Sequence, residues 1–133
     1  MISRNLTEIV VAMRRVATIL GAAAVLAYAV PARAHAYLDH ASPAVGSAVA
    51  VSPPAVTLWF TGKIEPAFSH VTVADAQGRR VDLDDARVPP NDQTELQIGL
   101  KPLAAGTYTV HWSVVSVDTH PTEGTFTFQV GVK

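Results

Sequence analysis

The chain has no cysteine, and its only two methionines are Met1 and Met13. No disulfide can brace it, so its stability must come from packing. Beyond Met13 it also lacks any sulfur ligand of the kind that holds soft metal ions such as Cu(I). Charge is sparse: 16% of residues are Asp, Glu, Lys or Arg, with a net charge of −1. There is no basic stripe, which argues against a nucleic-acid partner. The sequence has no Gly-x-Ser-x-Gly elbow, no glycine-rich phosphate loop and no isolated carboxylate pair, which removes the commonest hydrolase and nucleotide-binding readings. The most apolar stretch, Val16 to Val30, is shorter than the roughly 20 residues of a membrane-crossing helix.

That stretch is better explained as a secretion leader. Arg14 and Arg15 precede it, and Ala32-Arg33-Ala34 ends it as a small-x-small cleavage signal. Translation starts at Met1 or, for a more compact leader, at Met13. An uncleaved N-terminal anchor is the competing reading, and would be the chain's only contact with a membrane. Cleavage after Ala34 leaves one domain, residues 35–133, with His35 first. Lys plus Arg then falls from 10 to 6 and Asp plus Glu from 11 to 10, a net charge of −4. The expected compartment is the periplasm.

After residue 34 no segment has a helical period, and the pattern is β. Ala55–Phe60 turns Val56, Leu58 and Phe60 to one face. Ser69–Ala74 is β-branched and leads through an Asp75–Gly78 turn into Arg79–Leu83. Thr94–Leu100 turns Leu96, Ile98 and Leu100 inward. Gly106–Val114 does the same with Tyr108, Val110, Trp112 and Val114, and Thr125–Val130 with Phe126, Phe128 and Val130. Prolines 43, 53, 54, 66, 89, 90, 102 and 121 mark loops between these runs. The expectation is all-β: an antiparallel Greek-key sandwich or barrel of about seven strands, immunoglobulin-like or cupredoxin-like. Trp59, Phe60, Tyr108, Trp112, Phe126 and Phe128 are expected to pack in or near its core.

The chemistry concentrates at His35, Asp118 and His120. A terminal histidine offers two nitrogens: its α-amine, with an ordinary pKa of about 7.7–8.0, and its imidazole, at about 6.5. Both lose their protons to a metal near neutral pH. His120 adds a third nitrogen and Asp118 an oxygen. In an extended Asp-x-His segment, residues i and i+2 face the same side, and Pro121 holds His120 to extended or turn geometry. Three nitrogens and one oxygen suit tetragonal Cu(II), the ion at the top of the divalent affinity series. Zinc, which prefers tetrahedral sites, fits less well. His40, His70 and His111 are expected to be surface polar groups, and the Asp82, Asp84, Asp85 cluster a solvated loop.

These residues resemble a known family. The resemblance runs through His35 after the leader, Ala41-Ser42-Pro43-Ala44-x-Gly46-Ser47, Val56-Thr57-Leu58-Trp59-Phe60, Leu103-x-x-Gly106-Thr107-Tyr108-x-Val110-x-Trp112 and Ser116-x-Asp118-Thr119-His120-Pro121-x-x-Gly124-x-x-x-Phe128. It is similar to the CopC family of periplasmic copper-binding proteins, over nearly all of residues 35–133. The resemblance implies a β-barrel that binds Cu(II) through His35, Asp118 and His120, in copper resistance or uptake. It also implies an inner-membrane partner resembling CopD. The methionine-rich Cu(I) loop of some members has no counterpart, because residues 72–88 contain neither Met nor His. Gly62 stands about where some members place a glutamate, and Glu65 is not assigned that role. The expected function is a monomeric, non-catalytic Cu(II) carrier or buffer. The alternatives are a copper-dependent oxidase or monooxygenase, in which His35 and His120 would form a histidine-brace-like site, and a metal-free adhesion or scaffolding sandwich.

Overall fold

The computed structural model describes residues 35–131, so the expected leader lies outside the described residues. Seven strands follow in chain order: β1 (Leu38–Ser42), β2 (Ala48–Val49), β3 (Ala55–Phe60), β4 (His70–Ala74), β5 (Glu95–Gly99), β6 (Gly106–Val115) and β7 (Pro121–Val130). They form two sheets, a three-stranded one ordered β1-β3-β5 and a four-stranded one ordered β2-β7-β6-β4. The expected β-sandwich is therefore present. One pairing departs from the expectation: β2 runs parallel to β7, through Ala48–Gln129 and Val49–Val130.

Period-2 alternation built the core. Val56, Leu58, Phe60, Leu96, Ile98, Leu100, Tyr108, Val110, Val114, Phe126, Phe128 and Val130 are all buried in one cluster. Tyr108 stacks on Phe128 with ring centroids 5.7 Å apart, and its hydroxyl donates to the Ala104 carbonyl at 2.6 Å. Trp112 is half-buried and meets Phe60 edge-on at 5.2 Å. It pairs with Gly124 across β6 and β7. A Cβ at position 124 would come within 2.6 Å of the indole ring, so the ring lies where a side chain would otherwise stand.

Three expectations need correction. The Arg79–Leu83 run is not a strand; it makes only isolated bridges, Arg80 to Ala74 and Asp82 to Leu100. It passes from the edge of one sheet to the edge of the other, so neither gives it a continuous ladder. Pro121 is not in a loop but opens β7 opposite Val115; the first residue of a strand is a position that tolerates a missing N–H. Asp82 is not solvated. It is buried, and its carboxylate accepts from the Val73 and Asp84 N–H groups at 2.8 and 3.0 Å and from the Arg80 guanidinium at 2.6 and 3.1 Å. Sequence reading also passed over β1, which has a mostly polar, exposed pattern, and the two-residue β2.

Burial raises the Asp82 pKa, but the Arg80 bonds and the two backbone N–H groups outweigh it and hold the carboxyl below its ordinary range. A depressed folded-state pKa contributes stability above the unfolded value, and the contribution is lost as pH falls through the folded one. Asp82→Ala strands the Val73 N–H and is expected to cost about 2–3 kcal/mol at pH 7. The gap to the parent should close as pH falls below about 3.9. Urea midpoints at pH 7 and at acid pH measure both; a gap unchanged by acid would contradict the assignment.

Candidate metal centre

The segment from His35 to Tyr37 is tied down by two threonine side chains, Thr61 just past β3 and Thr122 in β7. The Tyr37 N–H donates to Thr61 Oγ1 at 3.0 Å, and that hydroxyl donates to the His35 carbonyl at 3.3 Å. On the other side Thr122, in β7, donates to the Ala36 carbonyl at 2.6 Å. Ala36 is fully buried. His35 is thereby held beside the start of β7, where His120 sits.

The Ser116–His120 connection supplies the other two groups. Its geometry differs from the extended Asp-x-His expected. The Thr119 N–H donates to the Ser116 carbonyl at 2.8 Å, and the Ser116 N–H to the His120 carbonyl at 3.0 Å. Thr119 has φ +72°, a left-handed conformation that costs a β-branched residue on the order of 1–3 kcal/mol. Asp118 and His120 converge through this tight turn rather than through strand alternation. Ser116, fully buried, is the hub. Its hydroxyl donates to Asp118 Oδ1 and accepts from the His120 N–H at 3.3 Å. Ser116 stands in the Ser-x-Asp-Thr-His motif, but nothing in its sequence context marks this role.

The three groups come together. Asp118 Oδ2 lies 3.2 Å from His120 Nδ1 and 4.0 Å from His35 Nδ1. The two imidazoles cross nearly at right angles, 88°, with centroids 4.1 Å apart. One donor atom from each residue falls within 4.8 Å of the others, the only such His/Cys/Asp/Glu trio among the described residues. The Ser116 hydroxyl is the strongest influence holding the Asp118 carboxyl below the usual carboxylate range. Partial burial opposes it, and His120 adds to it through its ring and its N–H. Asp118 is thus an anion beside two imidazoles, and the donor set is nitrogen and oxygen without sulfur. Such a set fits Cu(II) and, less well, Zn(II).

The remaining histidines lie elsewhere. His40 stacks on Trp59 at 4.4 Å and bonds Asp39 at 2.7 Å, while His70 and His111 are exposed on the four-stranded sheet.

Fold and site together define a small two-sheet β-sandwich with an imidazole–carboxylate cluster at one end. The CopC domain profile matches residues 38–131, and the chain belongs to the CopC family. It is 40% identical over 98 residues to Protein YobA of Escherichia coli strain K12, covering 73% of this chain and 79% of that protein. It is 34% identical over 125 residues to copper resistance protein C of Xanthomonas campestris pv. juglandis, covering 90% and 98%. The crystal structure of CopC from Methylosinus trichosporium OB3b superposes with a TM-score of 0.68 at 38% identity, covering 72% of this chain and 93% of that one.

Proposed function

We propose that this protein is a Cu(II) carrier or buffer of the periplasm serving copper resistance or homeostasis. In this reading residues 1–34 are a leader removed after Ala34. The ion is then held by the α-amine and imidazole of His35, the Asp118 carboxylate and the His120 imidazole. The observation that carries the reading is the convergence of these three residues, from two distant parts of the chain, on one point. Relatives named copper resistance protein C support copper as the ion.

The arrangement favours holding the ion over redox turnover. A carboxylate beside the imidazoles offsets the charge of Cu(II), and no thioether or thiolate is at hand to stabilise Cu(I). We therefore assign no catalysis and no Cu(I) site. The protein acts as a monomer and passes copper to an inner-membrane transporter resembling CopD.

Calorimetry of the exported protein should show one Cu(II) bound per chain. At a free-ion concentration about 100 times the Kd, binding should add about 2.7 kcal/mol of stability, raising Tm by roughly 10 °C or more for a domain of this size. No stoichiometric binding and no thermal shift would favour the metal-free sandwich. Copper-dependent oxidation of substrate with ascorbate, lost in His120→Ala, would favour the oxidase.

A further inference from the structure

The outer face of the four-stranded sheet carries a second set of metal-ligating side chains. The ladder register places His70 of β4 opposite Ser113 of β6, and Ser113 in turn opposite Glu123 of β7. One row along, His111 lies between Thr72 and Thr125. His70, His111, Ser113 and Glu123 are all exposed, and they line one groove of about 540 Å³. With strands about 4.8 Å apart and residues of one face about 6.8 Å apart along a strand, the three Cα atoms form a triangle with sides of about 8–10 Å. Its interior lies beside Ser113, whose short side chain leaves the space above the sheet open.

His111 has a neighbour that can steady its ring. Its Nδ1 lies 3.0 Å from Thr125 Oγ1, and in the tautomer in which Nδ1–H donates there, Nε2 has its lone pair free to ligate. A ligating histidine is usually held by its other ring N–H donating to an acceptor, a part the Thr125 hydroxyl can play. His70 and Glu123 have no such partner in the groove, and their donors do not close on one point with His111 as those of the N-terminal cluster do. Rotation about exposed side-chain bonds would bring them in, at a cost in entropy that weakens binding relative to the prearranged cluster.

We propose that His70, His111 and Glu123 form a second, weaker site for a borderline divalent cation, Cu(II) ahead of Zn(II) in the order of intrinsic affinities. It is independent of the N-terminal cluster and of whether His35 is the first residue.

The test is amide NMR of the exported protein titrated with CuCl2, and separately with ZnCl2. Cu(II) beyond the first equivalent should broaden the signals of Thr72, Ser113 and Thr125, and Zn(II) should shift them. The effect should persist in His120→Ala, which damages only the N-terminal cluster. His111→Ala and His70→Ala should each weaken the second event at least about tenfold, whereas His40→Ala should leave it unchanged. Broadening that centres on His40, or that survives both groove substitutions, would overturn the proposal. So would the absence of any second event in the parent protein.

Discussion

Placing one N-acetylated glycine ahead of His35 in the exported protein is expected to weaken Cu(II) binding by at least about 100-fold. Loss of a mere outer-shell partner costs metal sites about 10–100-fold, and this insertion removes a direct ligand. It leaves both imidazoles and Asp118 intact but converts the α-amine into an amide and opens the chelate ring proposed for His35 and its own side chain. Competition titration against a chelator measures the change. His120→Ala should produce a loss of similar size from the other side of the site. If the added acetylglycine changes affinity only a few-fold, the terminal amine is not a ligand and leader cleavage plays no part in binding. Acidification should weaken binding as well, because the amine and the imidazoles must shed protons to ligate.

Phe128→Ala is expected to have the largest effect on stability. Phe128 is fully buried in β7 and stacks on Tyr108 of β6. Truncation removes most of the ring's buried area and leaves a cavity between the sheets. Such changes cost about 3–5 kcal/mol, which lowers Tm by roughly 12–40 °C for a domain of this size. The neighbouring Thr127 faces solvent, and Thr127→Ala should shift stability by no more than about 0.5 kcal/mol. Thermal melts of the two variants together test the inward and outward assignment of β7. Similar melting points would contradict it.

The long strands were legible because each buries one face against the other sheet. β6 and β7 alternate over most of their length, and every residue read as inward from β3, β5 and β7 is buried. β1 escaped because Asp39 and His40 face solvent, so its pattern is that of a loop; it is a strand only because β3 offers it an edge. Arg79–Leu83 failed in the opposite sense. Its alternation is genuine, but the inward position is Asp82, which is buried for its hydrogen bonds rather than for its apolar area. At the candidate site, the grouping of His35, Asp118 and His120 was readable from residue chemistry. How Asp118 and His120 converge was not, since a left-handed Thr119 has no signature in composition. The Ser116 hub was equally silent, because a serine reads as ordinary until its burial is known.

The tethering of the N-terminal segment bears on how fast the site can fill. Thr61, just past β3, and Thr122, in β7, fix the His35 and Ala36 carbonyls, so in the proposed processed protein the chain end would be ordered by folding itself. Ordering one residue's backbone costs about 1–2 kcal/mol, and here that cost falls on folding, not on metal capture. Capture then requires no search by a loose chain end. Under the proposed function the ion would meet side chains already gathered at one end of the sandwich, an arrangement that would suit exchange with a donor or acceptor protein.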